Sequence, residues 1–258
     1  MDGGTLVVLG VIAMVVVMIL GAMYSAKKAA ERRAALGALA QSLGLDYVAE
    51  GLSTAVAGNF WERLAAGPGA SSAGQFLARF EGFHPFGQGH TPETCNLIYG
   101  DREGINWSIF DYSYKVTTSN GKSVSTTTHP YSIVCARVPV FLPAVRLVPE
   151  NFLNRIATKF GSQDISVELE EFNRRYIVKS NDSRLCYDLL HPQALEYFMR
   201  LPARDWQIAG YQIVLVSPGS ISPADYLQMM REIEGFVALI PAYVREDHGF
   251  AAKWNSPL

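Results

Sequence analysis

Cysteine is scarce in this chain, and what there is lies far apart. Cys95, Cys135 and Cys186 are odd in number and lack any CxxC spacing, which excludes a disulfide framework or a cysteine-based zinc site and suits free thiols in a reducing compartment. An excess of charge is missing too: 22 basic residues face 24 acidic ones, for a formal net charge of -2. Without a broad basic surface, no nucleic-acid partner is expected.

Catalytic signatures are absent in the same way. Gly121-Lys122-Ser123 resembles the end of a phosphate-binding loop, but Val116 stands where the glycine five residues earlier belongs. Gly87-Gln88-Gly89 lacks the third glycine of a dinucleotide fingerprint, and Ser217–Ser222 contains no G-x-S-x-G. His84, His90 and Cys95 are the clustered candidates for metal ligation, yet their spacing fits no familiar ligand pattern and the two histidines read as surface residues of a Gly-Pro loop. His129 and His191 precede prolines and His248 lies near the end, so each reads as structural or exposed. No cofactor is expected.

Charge is also missing from Leu6 to Tyr24, and here the absence is informative. Nineteen apolar residues in a row, LVVLGVIAMVVVMILGAMY, form a helix nearly as long as the ~30 Å hydrocarbon core of a bilayer. Lys27, Lys28, Arg32 and Arg33 follow at once, with Tyr24 at the headgroup level, whereas Met1–Thr5 offers only Asp2 and the terminal amine. By the positive-inside rule the N-terminus lies outside, and the C-terminal domain is cytoplasmic at a cell inner membrane. A cleaved signal peptide would place its basic residues before the apolar run, the reverse of the order here. Within the run, Gly10, Ala13, Val17 and Gly21 share one face where another membrane helix can approach closely, so the expected partners are the bilayer and a membrane protein.

Five regions follow from the pattern: a transmembrane anchor over 1–24, a basic helical stalk over 25–44, a β-rich hairpin region over 45–148, an α+β region over 149–240 and an irregular tail over 241–258. In the stalk, Leu36, Leu39, Ala40 and Leu43 repeat at helical spacing and should pack on the domain, with Gly44 closing the helix. A short strand is expected at Leu45–Glu50, a helical turn at Asn59–Leu64 and a small-residue loop at Ala65–Gly74. Strands are expected at Gln75–Phe83 and Cys95–Tyr99. Ile105–Thr118 and Ser123–Val138 flank Asn120-Gly121, a pair favoured by type I′ turns, and predict a long hairpin whose polar tip, Thr117–Thr128, projects into solvent. Its aromatics, Trp107, Phe110, Tyr112, Tyr114 and Tyr131, suit the two packed faces of a sheet or the lining of a ligand pocket.

Further on, Pro149 is expected to open a helix carrying Phe152, Leu153, Ile156 and Phe160, followed by strands at Ile165–Leu169 and Arg174–Lys179. Glu168, Glu170 and Glu171 before Arg174-Arg175 read as a solvated strand face or a charged docking surface. Asp182 is placed to cap a helix over Ser183–Leu190, and Pro192 to start another ending near Leu201. Gly210 splits Trp206–Ala209 from Tyr211–Val216 as in a bent hairpin. Ser222-Pro223-Ala224-Asp225 opens a last helix with Tyr226, Met230, Ile233, Val237 and Ile240 on its buried stripe.

The segment Phe172-Asn173-Arg174-Arg175-Tyr176-Ile177-Val178-Lys179-Ser180-Asn181-Asp182, with Leu190-His191-Pro192 after it, resembles a family of bacterial membrane-anchored proteins of unassigned function. The resemblance spans about Phe76–Ile240 and implies a strand, a small-x-Asp corner, a helix and a proline restart; it carries no catalytic residue. The fold class expected is α+β. The functional expectation is a non-catalytic accessory or scaffolding subunit of a membrane assembly, the alternatives being a ligand-sensing or enzymatic domain and a lipid-binding one.

Overall fold

The computed structural model describes residues 3–49, 52–53, 73–150 and 163–248. Helix α1 spans Gly3–Leu43 without a break, 41 residues or about 60 Å of helix. Its apolar portion is long enough to cross a membrane, and Val11–Tyr24 is exposed along its whole length, as a lipid-facing segment of a single-pass membrane protein would be. The chain leaves the helix through Gly44, at φ +70, a left-handed position that glycine occupies without steric penalty.

The domain beyond is α+β, built on one antiparallel sheet. Its strands are β1 (Asp46–Val48), β2 (Leu52–Ser53), β3 (His90–Arg102), β4 (Ile105–Ser119), β5 (Val124–Pro149), β6 (Gln163–Ile165), β7 (Tyr176–Ser180) and β8 (Asp205–Pro218). Their order is β1-β3-β4-β5-β7-β6, with β2 also on β3 and β8 also on β5. Strand β5 carries the architecture: it pairs with β4 through its first half, with β7 through its last residues and with β8 along most of its length. The sheet thereby joins strands of the 45–148 and 149–240 regions.

Alternation divides the side chains between two cores. Ile105, Trp107, Ile109, Val134, Ala136, Ile213 and Leu215 face one side, which is covered by the end of α1, by α5 (Pro192–Arg200) and by α6 (Pro223–Leu239). Phe110, Tyr112, Tyr114, Ile133, Cys135, Val214 and Val216 face the other, beneath α2 (Ala73–Ala78) and the turns after it. The hairpin aromatics thus serve both packed faces.

Several local expectations hold. Leu36 and Ala40 are buried where α1 meets the sheet. Asp182 accepts from the Leu185 amide at the start of α4 (Ser183–Leu189), and Ser222 with Asp225 completes a capping box on α6.

Others are corrected. Gln75–Phe83 is not a strand: α2 and the turns that follow it set Phe76, Phe80 and Phe83 on one side at helical spacing. Trp206–Val216 is one strand, because Gly210, at φ +60, makes a bulge that bends β8 without reversing it, and both halves pair with β5. The hairpin turn differs too. Gly121 alone takes positive φ, at +80, with Asn120 and Ser123 closing the loop, the glycine placement of a type II′ turn.

Pro149 is the last residue of β5, opposite Tyr176, and the chain leaves the strand in helical geometry at Glu150. Strand β6 stops at Ile165, and Glu170 and Glu171 begin α3 (Glu170–Arg175), where Glu170 pairs with Arg174 one turn on at 3.0 Å. That order of charges complements the helix dipole. The tail is not wholly irregular, since Ala242–His248 forms α7 with Val244 buried. The helical turn expected at Asn59–Leu64 and the helical stripe at Phe152–Phe160 lie outside the described residues, as does the Ala65–Gly74 loop up to its last two residues.

Candidate functional site

The polar chemistry of the molecule concentrates where α1 docks. Asp111 stands at the middle of β4, and its carboxylate receives Arg32 Nε at 2.9 Å, Arg32 Nη2 at 2.7 Å, Asn96 Nδ2 at 2.7 Å and the Tyr226 hydroxyl at 2.6 Å. Arg32 also donates to the Ile221 carbonyl, and its guanidinium lies 5.9 Å from the centre of the Tyr226 ring. Tyr47 donates to Asn96 Oδ1 at 2.9 Å, which ties β1 into the same network. Each member arrives from a different element: α1, β1, β3, β4 and α6.

The electrostatics follow from that crowding. Burial pushes the Asp111 carboxyl up, but the hydrogen bonds from Arg32, Tyr226 and Asn96 outweigh it and hold the group below the usual carboxylate range. Burial and the adjacent carboxylate push the Tyr226 phenol well above its ordinary value. An acidified carboxylate whose lone pairs are all engaged is a poor proton acceptor. The cluster is therefore suited to holding α1 on the domain, not to moving protons.

Beside it opens a cleft of about 580 Å³ between α1 and the sheet, lined by Ala29, Arg32, Arg33, Glu93, Tyr112 and Tyr131 among others. A second cavity, of about 450 Å³, lies past the edge of α2. There the aromatic face of the sheet gives way to a polar row across three strands, Asn106 on β4, Arg137 on β5 and Gln212 on β8, with Arg79 at the rim. Burial and the like charge of Arg137 pull the Arg79 guanidinium below its ordinary value.

The residues expected at the membrane are distributed as follows. Tyr24, Lys27, Lys28 and Arg33 are exposed, and Lys27 reaches Glu31 at 3.9 Å. Arg32, grouped with them in the sequence, is half-buried and turned to Asp111, so three of the four cations are exposed. Ala13, Val17 and Gly21 are exposed, with open space where a Gly21 side chain would be; Gly10 lies on α1 two turns before Val17.

The metal candidates do not converge. His84 is buried with Nδ1 3.5 Å from Asp205, whereas His90 bonds the hydroxyls of Thr91 and Thr117. Among the described residues no group of three or more His, Cys, Asp or Glu is placed to hold a metal ion.

Two groups escaped sequence reasoning. Asp111 sits in an apolar, alternating strand, where an acid on the face that carries Trp107 and Ile109 is the available signal. Asp205 accepts from buried Arg146 at 2.9 and 2.7 Å, an ion pair between β5 and β8 that no local motif announces.

No protein family profile matches the chain, and no curated protein sequence matches it. Among solved structures, the crystal structure of the mycobacterial trehalose monomycolate transport factor A, TtfA, is similar with a TM-score of 0.45 and 11% identity, over 81% of this chain and 96% of that chain.

Proposed function

We propose that this protein is a membrane-anchored, non-catalytic accessory or scaffolding subunit of a membrane protein assembly, with its α+β domain in the cytoplasm. The observation that carries the reading is the continuity of α1 from the apolar run into the dock. A helix with no break, fixed to the sheet by the Arg32–Asp111 pair and by buried Leu36 and Ala40, transmits position and rotation. An enzyme on a tether has no need of that rigidity; a subunit that must present one face to a membrane neighbour does. Gly10, Ala13, Val17 and Gly21 form the face we assign to that neighbour. Lys27, Lys28 and Arg33 beside the apolar run, together with three free thiols, favour the cytoplasmic orientation.

The test is purification in mild detergent with mass spectrometry of companions, for the native chain and for a Gly10→Leu/Gly21→Leu variant. A stoichiometric membrane partner that the variant loses supports the reading. A monomer that emerges alone overturns it. Ligand sensing is the second reading, favoured by the cavity at Arg79 and Arg137, and a co-purifying anionic metabolite would select it.

A further inference from the structure

We propose that the β4–β5 hairpin arm makes a second contact with the bilayer, its tip lying among the phosphate-bearing headgroups beside the anchor. The inference rests on α1 spanning the membrane, as proposed above.

Direction comes first. The end of α1 sits over one end of β4, since Leu45 packs on Gly100, which pairs with Trp107. Moving back along α1, Arg32 meets Asp111, and Ala29 lines the same cleft as Ser113 and Pro130. Toward the membrane, α1 and the hairpin therefore advance side by side.

Length decides the rest. From Ala29, Tyr24 is five residues on, about 7.5 Å of helix rise. From Ser113, the strand runs six residues further to Ser119, about 20 Å of strand rise, before the turn begins. Even if the two elements diverged by about 60°, the arm would still gain about 10 Å along the helix and reach the level of Tyr24.

The arm's chemistry suits that layer. No acidic residue occurs between Asp111 and Glu150, and Lys122 at the turn supplies positive charge, while Lys115, further back, pairs with Glu93 at 3.4 Å. From Thr117 to Thr128 the chain is mostly hydroxyl-bearing, with Thr117 and Thr126 bonded across the ladder at 2.9 Å. Hydroxyls and an ammonium donate to phosphate oxygens, and the tip offers no carboxylate to repel them. Val124, 70% exposed, adds an apolar side chain. Because the anchor already holds the arm at the surface, the contact needs little affinity of its own.

The experiment uses the full chain in nanodiscs of phosphatidylcholine and phosphatidylglycerol, in a Cys95→Ser background. An environment-sensitive fluorophore is attached at single cysteines: Tyr24→Cys, Val124→Cys, Ser123→Cys and, at the end of β3 opposite Ile105 and away from the tip, Arg102→Cys. Spin-labelled headgroup lipid is the quencher. We expect at least twofold quenching at Tyr24, Val124 and Ser123 and none at Arg102. If Tyr24 is quenched while both tip positions behave like Arg102, the arm does not touch the membrane and the anchor stands. If Tyr24 itself is not quenched, the membrane reading falls and the arm's contact falls with it.

Discussion

Arg32 is one of four basic residues within seven positions, and chain sequence alone does not tell it from its neighbours. In the fold it is the cation that reaches Asp111, with side chains 21% and 13% exposed. Removing one partner of such a pair leaves the other charged and short of donors, at a cost of about 3 kcal/mol. Arg32→Ala should lower the midpoint of chemical denaturation accordingly, whereas Arg33→Ala, on the exposed face, should leave it within about 0.5 kcal/mol. The pH dependence has a definite sign. Because the folded Asp111 carboxyl lies below its unfolded value of about 3.9, its contribution is complete above that pH and is lost as pH falls through the folded value. Acid unfolding curves of Asp111→Asn should be flatter in that range than those of the native chain. The thiols give a second residue-scale check: burial pushes Cys95 and Cys186 up to about 11 and Cys135 up to about 12. Alkylation by iodoacetamide near pH 8 should run roughly a hundredfold or more slower in the native protein than in denaturant.

At the scale of elements, the sequence was most legible where a signal is local. The capping box of α6, the Asp182 cap of α4, the proline start of α5 and the stalk stripe Leu36–Leu43 all depend on residues within a turn or two of one another. Ser222→Ala removes the side-chain acceptor for the Asp225 amide and should cost about 1 kcal/mol, read as a drop in Tm, while leaving the sheet spectrum intact. Signals that depend on distant partners were not legible. Phe76, Phe80 and Phe83 had helical spacing but also aromatic, strand-like composition, and only the sheet face that they cover decides between the two. Gly210 reads equally as a turn or a bulge until β5 is known to accompany both halves of β8. Asp111 looks like an interruption in a strand because its donors come from segments up to 115 residues away.

For the whole molecule, the claim that separates a scaffold from a tethered domain is that α1 transmits rotation, and helix geometry makes this measurable. Inserting two alanines between Ser25 and Ala30 turns the dock by about 200° relative to the apolar run, whereas seven residues turn it by about 20° and raise it by about 10 Å. A domain working on a flexible leash would tolerate both. If a partner grips the Gly10–Gly21 face and the docked domain together, the two-residue insertion should abolish co-purification, because one of the two surfaces then points away. The seven-residue insertion should keep most of the association through the restored face. It should also lift the hairpin tip out of headgroup reach, so quenching at Val124 falls while quenching at Tyr24 persists. Equal loss in both insertions would mean that height rather than rotation is what the anchor sets. Equal retention would mean that α1 is a leash despite its continuity, and the scaffold reading would lose the observation that supports it.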